Sequence, residues 1–295
     1  MIQSRVEFSK STCDVLIVGA DSKLGKNFFE IFTRMNNFVT IGTTNKSTLG
    51  LIHCDLRDKE HKLPIPRPGA KAFIFSSKSN HEVCEKFPNE TYEVNYTQTV
   101  ELISYLNNLG YQAIIFSSTQ VFSGNKPWMK IQDKQDPVSV FGKQKKELED
   151  WILTTNMNLV IRVTKVLNPE DNPFKSWIHS LGMRKVITPF MNYPISPISM
   201  KSLMSAVLEI KDNFTGGLIH LGNAEQTDYA NIAAKLATIL EIDLDLINGI
   251  YPDPTSIKHI PKFSSLDLSA TTAMLSWVPE TIDEAVINSF KKIDN

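Results

Sequence analysis

The sequence is poor in cysteine, and its few cysteines are not arranged as a site. Its 295 residues include three cysteines, Cys13, Cys54 and Cys84, which form no C-x-x-C pair. An odd number of cysteines at these spacings argues against a disulfide framework and against a zinc site, and it favours a reducing compartment. We therefore expect no bound metal.

The sequence also lacks an excess of one charge and any long apolar run. Thirty-one basic residues against thirty-two acidic ones leave a net charge of -1, which provides no electrostatic footprint for nucleic acid. No apolar run approaches the roughly 20 residues that span a bilayer, and the polar start (M-I-Q-S-R-V-E-F-S-K) lacks the apolar stretch of a signal peptide. We predict a soluble, cytoplasmic protein that binds neither membrane nor nucleic acid.

Short apolar runs alternate with amphipathic stretches over the first 165 residues, in a chain that is 42% hydrophobic and long enough for a large core. The pattern predicts strands at residues 14–20, 38–41, 51–54, 72–75, 113–116 and 159–163, and helices at 24–35, 90–108 and 140–154. Strands that alternate with helices predict a parallel sheet with helices on both faces. The predicted fold class is therefore α/β, a Rossmann-like doubly wound sheet.

Prolines change this rhythm after residue 166, because each disfavours helix at the residue before it. Loops are predicted at 168–173 and 193–197, a strand at 218–222, and helices at 174–181, 199–210, 228–240 and 282–290. We interpret residues 1–166 as a dinucleotide-binding domain to which residues 198–222 return. Residues 167–197 and 223–295 are predicted to form a smaller α/β domain that binds the substrate.

The sharpest local motif is a glycine turn at residues 19–25 (G-A-D-S-K-L-G), between the first predicted strand and the first helix. In a dinucleotide fold such glycines let the backbone approach a pyrophosphate, and the helix N-terminus offers N–H groups to that anion. Ser22 stands where the middle glycine of a G-x-x-G-x-x-G turn would be. Its hydroxyl would either donate a hydrogen bond to the cofactor or crowd it. A plain strand–helix turn is the alternative.

The residues after the next two strands bear on which dinucleotide binds. Residues 42–46 (G-T-T-N-K) contain no acidic residue, which in NAD-binding folds holds the ribose 2′-hydroxyl. Lys46 and the neighbouring hydroxyls favour NADP slightly over NAD, unless Lys46 is only a solvated turn residue. Asp55 and Leu56 lie at the end of the third strand, where a side chain could contact the edge of the adenine ring. A strand-end turn is the alternative for both.

Four stretches together resemble a known family. Residues 19–25 resemble its G-A-x-G-x-L-G, 116–124 (F-S-S-T-Q-V-F-S-G) its I-S-T-D-Y-V-F-D-G, 137–145 (P-V-S-V-F-G-K-Q-K) its P-x-N-V-Y-G-x-x-K, and 261–267 (P-K-F-S-S-L-D) its P-x-x-S-x-L-D. Their order and spacing resemble the extended short-chain dehydrogenase/reductases that act on nucleotide-activated sugars, dTDP-4-dehydrorhamnose reductase and its relatives above all.

The resemblance implies a hydride-transfer site with a Tyr-x-x-x-Lys pair on one helix face. In such enzymes the lysine binds the nicotinamide ribose, the tyrosine transfers the proton, and a Ser or Thr at the preceding strand end binds the substrate oxygen. Ser118 matches the Ser/Thr and Lys145 matches the lysine. Phe141 stands at the tyrosine position, and phenylalanine has no ionisable proton with which to act as a general acid or base.

The resemblance also implies the remaining site residues. Lys165 is an exception to the pattern, because the reductases usually carry an aromatic residue there. The implied substrate-binding residues are Ser118, Thr119, Lys165, Ser264 and Asp267. The implied cofactor-binding residues are Gly19, Asp21, Ser22, Lys23, Leu24, Gly25, Asp55, Leu56, Ser76, Ser77 and Lys145.

Two functions fit these residues, and a structural protein with a vestigial pocket is a third alternative that they favour least. The first is an NAD(P)-dependent reductase or epimerase of a nucleotide-activated sugar, with water or another residue as the proton donor. The second is a non-catalytic subunit that binds nucleotide or sugar on the same fold, since the regulatory subunit of methionine adenosyltransferase belongs to this family. Ser118 and Lys145 favour the first function, whereas Ser22 and Phe141 favour the second.

The plainer alternatives stay open for the catalytic positions. Lys145 lies in a charged run, 143–150, which is typical of a solvated helix face. Ser118 could merely end a strand, and Phe141 could be a core residue that anchors its helix. Homodimerisation through helices 94–109 and 140–154 is the assembly that the relatives suggest.

Overall fold

A computed structural model describes residues 11–58, 61–253, 255 and 259–291. The strands are β1 (Thr12–Val18), β2 (Thr40–Thr44), β3 (Ile52–His53), β4 (Ile65–Ile74), β5 (Gln112–Ser118), β6 (Leu159–Val163), β7 (Lys165–Leu167), β8 (Pro194–Ile195), β9 (Pro197–Ser199), β10 (Gly217–Leu221) and β11 (Thr227–Asp228). The helices are α1 (Lys23–Arg34), α2 (His81–Lys86), α3 (Pro88–Tyr92), α4 (Gln98–Leu109), α5 (Val140–Thr154), α6 (Phe174–Gly182), α7 (Met200–Asn213), α8 (Tyr229–Ile239), α9 (Ser269–Thr272) and α10 (Ile282–Phe290).

Seven of the strands form one sheet in the order β10-β6-β5-β4-β1-β2-β3. The pairs β1 with β2, β1 with β4, β2 with β3 and β4 with β5 are parallel. The chain moves outward from β1 to β3 and then returns to the other side of β1 at β4, which is the reversal that defines a doubly wound sheet. The predicted Rossmann-like α/β fold is confirmed.

The apolar runs of the sequence become the central strands. Val15 to Val18 of β1 are fully buried, as expected for a strand covered on both faces. The buried face of α1 presents Phe28 and Phe32, whose rings lie 5.8 and 5.3 Å from that of Phe73 in β4. Each large apolar side chain that is fully removed from water stabilises the fold by roughly 1.5–3 kcal/mol.

Two elements differ from their predicted extent. β4 begins at Ile65 rather than near residue 72, because Pro66 and Pro68 obscure a strand whose pairing with β1 contains a register shift. The helix predicted at 90–108 consists of α3, a π-helical segment (Glu93–Thr97) and α4, and it ends at Gly110 with a φ of +103°. The π-helical segment contains the buried Asn95, whose hydrogen bonds are described below.

The chain forms two compact units. Unit 1 comprises Met1–Ser117, Lys143–Ile161 and Phe214–Leu218, and unit 2 comprises Ser118–Gly142, Arg162–Asn213 and Ile219–Asn295. Each has an apolar core, around Leu16, Ala72 and Leu102 in unit 1 and around Phe174, Ile232 and Phe290 in unit 2. The unit boundaries do not coincide with the predicted domain boundaries, since residues 118–142 cluster with unit 2. The cofactor and substrate roles assigned to the two domains stay predictions.

Three features of the described residues concern a membrane-spanning helix, disulfides and a cluster of metal-ligating side chains. No helix among them combines the length and apolar character needed to cross a bilayer. The three cysteines are buried and form no disulfide. The described part of the chain holds no cluster of three or more His, Cys, Asp or Glu side chains suited to a metal ion.

Candidate functional site

The glycine turn of unit 1 is too tight for side chains at its two glycines. Gly19 has a φ of +80°, and a Cβ there would lie 2.9 Å from Ser76 Oγ and 3.0 Å from Ser76 N. A Cβ at Gly25 would lie 2.2 Å from the carbonyl oxygen of Gly19. The turn therefore packs against itself and against the end of β4 through bare backbone. Such a cradle, at the N-terminus of α1, suits the pyrophosphate of a dinucleotide.

Ser22 caps α1. Its hydroxyl oxygen accepts a hydrogen bond from Gly25 N at 3.1 Å, in the geometry of an N-cap side chain. The hydroxyl proton is left to donate to an anion, which is one of the two roles predicted for Ser22. Lys23 and Leu24 are the first residues of the helix itself. Serine is typical of this position just before an amphipathic run.

Asp21 contacts Lys46 at the end of β2. Lys46 Nζ lies 3.0 Å from Asp21 Oδ2, and the two side chains are 72% and 25% exposed. Burial raises the pKa of Asp21, but hydrogen bonds with Lys46 and Thr44 outweigh it and hold the pKa below its usual range. Lys46, which slightly favours NADP in the sequence, is thus half of an ion pair.

The Asp55 carboxylate accepts hydrogen bonds from the neighbouring Arg57 side chain. Arg57 donates from Nε at 2.9 Å and from Nη2 at 2.5 Å to its two carboxylate oxygens. These bonds lower the pKa of Asp55 to about 2. Leu56 beside it is buried. The arrangement favours the strand-end turn for Asp55.

Ser77 belongs to a buried amide network that sequence patterns did not reveal. Its hydroxyl donates to Asn95 Oδ1 at 3.0 Å, and Lys78 N donates to the same oxygen at 2.7 Å. Asn95 Nδ2 donates to Lys78 O and to Gln144 Oε1. Gln144 Nε2 in turn donates to Thr91 Oγ1 and to Pro88 O. The network fastens the loop after β4 to α5 beside Lys145.

Lys145 is buried within its charged run, whereas Lys143, Glu147 and Asp150 are exposed. Its ammonium donates to the carbonyl oxygen of Phe116 in β5 at 3.1 Å. Burial lowers its pKa to about 8, although Glu149 and Cys84 act in the opposite direction. The interpretation of Lys145 as part of a solvated helix face is therefore wrong.

Ser118 and Phe141 belong to unit 2. The Ser118 hydroxyl oxygen accepts from Gln120 N at 3.2 Å, so its proton can still be donated to a substrate oxygen. Phe141 is 7% exposed in the first turn of α5. Gly142 follows it with so little space that a Cβ would lie 2.1 Å from Gln120 O. The backbone that follows Phe141 is thus closely packed.

The other predicted substrate-binding residues differ in the contacts that they make. Lys165 Nζ lies 5.9 Å from the ring centroid of Phe174. The Ser264 hydroxyl oxygen is buried without a hydrogen-bond partner among the described residues. The Asp267 carboxylate accepts from the backbone and side chain of Ser269, which lowers its pKa. Thr119 begins a 3₁₀ turn.

Unit 2 also contains a buried histidine beside a buried arginine. Arg162 Nη1 lies 3.2 Å from His220 Nε2, and His220 Nδ1 lies 3.1 Å from the carbonyl oxygen of Asp267. Burial, then the Arg162 charge, lower the pKa of His220 to about 4. A neutral ring can accept from Arg162 and donate to Asp267.

An aromatic cavity of about 610 Å³ lies within unit 2. Tyr193 stacks on Phe190 at 6.1 Å, and Tyr229 meets both Tyr193 and Trp177 edge-on. Burial raises the pKa of Tyr193, and raises that of Tyr229 to about 12. Both hydroxyls are therefore neutral hydrogen-bonding groups at ordinary pH. The lining is completed by Asn172, Pro173, Ser176, Thr188 and Pro189.

A family model described as RmlD substrate binding domain matches residues 13–295. The chain belongs to this family. The resemblance to dTDP-4-dehydrorhamnose reductases that the motifs indicated is confirmed at the level of family and fold.

Members and neighbours of the RmlD family differ in their described roles. The chain is 22% identical over 272 residues to methionine adenosyltransferase 2 subunit beta of Mus musculus, covering 86% of this chain and 80% of that protein. It superposes with a TM-score of 0.80 on dTDP-4-dehydrorhamnose reductase of Bacillus anthracis in complex with NADP, at 16% identity over 97% of this chain and 100% of the other. It superposes with 0.79 on UDP-glucose 4-epimerase of Thermotoga maritima with UDP-glucose, at 15% identity over 94% and 97%. At these identities the structures share the fold.

Sequence reasoning missed the cavity of this RmlD-family chain. None of the predicted substrate residues lines it, because the prediction followed the family motifs and the cavity lies outside all four. The available signal was the recurrence of aromatic residues beside prolines, as in Pro189-Phe190 and Tyr193-Pro194. Of the two prolines, the sequence pattern predicts a role only for Pro194, and only as part of a loop between elements.

Proposed function

We propose that this chain is an NAD(P)-binding protein that acts on a nucleotide-activated sugar, as a dTDP-4-dehydrorhamnose reductase-like oxidoreductase or epimerase with an altered active site. The observation that carries the proposal is the glycine turn, where backbone replaces side chain at Gly19 and Gly25. That cradle gives an anion close access to the N-terminus of α1. A cytoplasmic location, a homodimer and a place in carbohydrate biosynthesis belong to the same proposal.

The residues of unit 1 fit a nicotinamide dinucleotide. The turn around Ser22 would hold the pyrophosphate, the end of β2 would receive the adenosine ribose, and Lys145 would bind the nicotinamide ribose. Its lowered pKa of about 8 still leaves the ammonium mainly charged at neutral pH. When bound, the cofactor supplies a hydride acceptor or donor. NADP is slightly favoured over NAD, as Lys46 suggested.

The aromatic cavity of unit 2 fits the nucleoside end of the sugar nucleotide. A planar base can stack on Phe190 or Tyr193, and base–aromatic stacking contributes about 1–3 kcal/mol in other proteins. The two tyrosine hydroxyls, with Asn172 and Thr188, offer polar partners for the base and the ribose. The Ser118 proton is available to a sugar carbonyl oxygen. The complex of the Thermotoga maritima neighbour with UDP-glucose supports this substrate class.

Phe141 supports a second candidate function. Without a phenol at this position, general acid–base help worth about 10²–10⁴ in rate is missing from α5. A non-catalytic regulatory or partner subunit would need the binding sites but not the proton donor. The match to methionine adenosyltransferase 2 subunit beta supports this alternative.

Restoring the phenol separates the two functions. In the Phe141→Tyr variant the new hydroxyl lies on the same helix as Lys145, four residues away. If the chain is a reductase with a missing acid, NADPH-dependent turnover of a 4-keto nucleotide sugar should rise by about 10²-fold or more. Phe87→Tyr, at an exposed ring, is the matched control and should leave turnover unchanged.

Three outcomes would change the assignment. If the wild type already turns over at a rate that the tyrosine does not improve, another residue is the acid and the catalytic role of the Phe141 position is wrong. If neither protein turns over while both bind NADPH in a titration, the regulatory function is supported. If NADPH at millimolar concentration binds to neither, the dinucleotide site itself is wrong.

A further inference from the structure

An acidic side chain from another segment of the chain lies at the end of β2. Residues 42–46 contain no Asp or Glu, yet the carboxylate of Asp21 lies 3.0 Å from Lys46 Nζ. The loop is held there by backbone, because Ala20 N donates to Thr43 O at 2.8 Å. Lys46 is held too, since its N–H donates to Thr44 Oγ1 at 3.1 Å. Both charges are therefore presented at one end of one strand.

This position is where a doubly wound fold meets the adenosine ribose of its dinucleotide. A carboxylate there accepts a hydrogen bond from the 2′-hydroxyl of NAD, whereas a cationic side chain pairs with the 2′-phosphate of NADP. A chain normally offers one or the other after its second strand. Here the glycine turn supplies the carboxylate, from Asp21, and the segment after β2 supplies the ammonium group, from Lys46.

Resting on the proposed dinucleotide function, we infer that Asp21 and Lys46 form a charge pair that sets the preference between NADP and NAD. Lys46 attracts the 2′-phosphate, and Asp21 opposes it and accepts the 2′-hydroxyl instead. Since each charge neutralises the other, the wild type binds NADPH and NADH with affinities that differ by less than about tenfold. The pair is a specificity determinant and takes no part in hydride or proton transfer.

The pair can be tested by removing one charge at a time. Asp21→Asn keeps the side-chain shape and should tighten NADPH about tenfold while weakening NADH. Lys46→Met should weaken NADPH about tenfold and leave NADH nearly unchanged. Titrations with 2′,5′-ADP and 5′-ADP should repeat both shifts, because these fragments contain the adenosine ribose without the nicotinamide.

Glu170 and Lys175 provide matched controls. They form an exposed ion pair at 2.9 Å on unit 2, with side chains 76% and 62% exposed. Glu170→Gln and Lys175→Met change the net charge by the same amounts as the test variants, and neither should alter the ratio of the two affinities. A ratio that moved equally in test and control variants would reflect overall charge and would overturn the inference.

The results also separate this inference from the function on which it rests. Failure of wild-type protein to bind either dinucleotide at millimolar concentration would overturn the proposed function. Binding of both dinucleotides with a ratio that stays constant in Asp21→Asn and Lys46→Met would leave the function intact and overturn the specificity pair. Melting temperatures of the free variants check that each one is folded before titration.

Discussion

The glycine turn of unit 1 and the aromatic cavity of unit 2 are built in opposite ways. The turn is one contiguous stretch whose shape depends on missing side chains, since a Cβ at Gly25 would meet a carbonyl oxygen at 2.2 Å. The cavity depends on large side chains, including Trp177, Phe190 and Tyr229, that come from separate parts of the chain. The first kind of site fails when one atom is added, whereas the second loses affinity gradually as contacts are removed.

The strongest test of this difference between the two sites is to add a methyl group to the glycine turn. Gly25→Ala should lower NADPH affinity at least 100-fold, because the backbone of the turn must move to admit the Cβ. Gly182→Ala is the control, since a Cβ there meets no atom within 4 Å, and alanine in a helix is favoured over glycine by about 0.5–1 kcal/mol. An NADPH titration and a melting curve of each variant test the prediction. Equal behaviour of the two variants would contradict it.

Acid should destabilise unit 2 through His220. Its folded pKa of about 4 lies below the ordinary value near 6.5, so stability is present above pH 6.5 and is lost as pH falls through 4. We expect the free energy of unfolding to drop by roughly 3 kcal/mol over that interval. The drop should be smaller in His220→Gln, measured by denaturant unfolding at each pH.

An exposed histidine in the same unit shows whether the effect is specific. His179→Gln on α6 should retain the full acid sensitivity of the wild type. If His220→Gln were as acid-sensitive as His179→Gln, the buried pair of His220 and Arg162 would not be its source.

Removing one ring should weaken the cavity only in part. Phe190→Ala should reduce dTDP affinity by about 5- to 150-fold, the range that corresponds to 1–3 kcal/mol of lost stacking, with NADPH affinity unchanged. Tyr251→Ala removes an aromatic side chain that is 68% exposed outside the cavity, and it should change neither affinity. Calorimetric titration measures both. A normal dTDP affinity in Phe190→Ala would exclude the cavity as the nucleoside site.

The smallest effect is expected at Ser22, where a side chain caps the turn. Ser22→Ala should lower the free energy of unfolding by about 1 kcal/mol, and Ser22→Gly by only a few tenths. Asn80→Ala removes an equivalent cap, a hydrogen bond of 3.0 Å to Val83 N on α2, and serves as the control for stability. Only the Ser22 variants should alter NADPH affinity, by a few-fold. An unchanged affinity would mean that Ser22 does not approach the phosphates.

The sequence alone was sufficient for the fold class and for the glycine turn. Buried strands appear as short continuous apolar runs and amphipathic helices as an apolar period of 3.6 residues, and both are local properties of the chain. The turn is equally local, because its strand, its glycines and its helix follow one another directly. The motif at 137–145 likewise predicted that Phe141 and Lys145 share one helix, α5, as they do. Their roles in catalysis stay predictions.

Tertiary structure alone decided how the charged and aromatic side chains are used. The charge pattern alone does not distinguish the buried Lys145 from its exposed neighbour Lys143, because burial depends on what packs against α5. The acid at the end of β2 comes from another loop, as Asp21, so a search of the residues after that strand could not find it. The cavity needed three distant stretches to meet, which depends on long-range packing. Periodicity and motifs encode what neighbours in sequence do, whereas charge pairing and cavities arise between residues that only the fold makes neighbours.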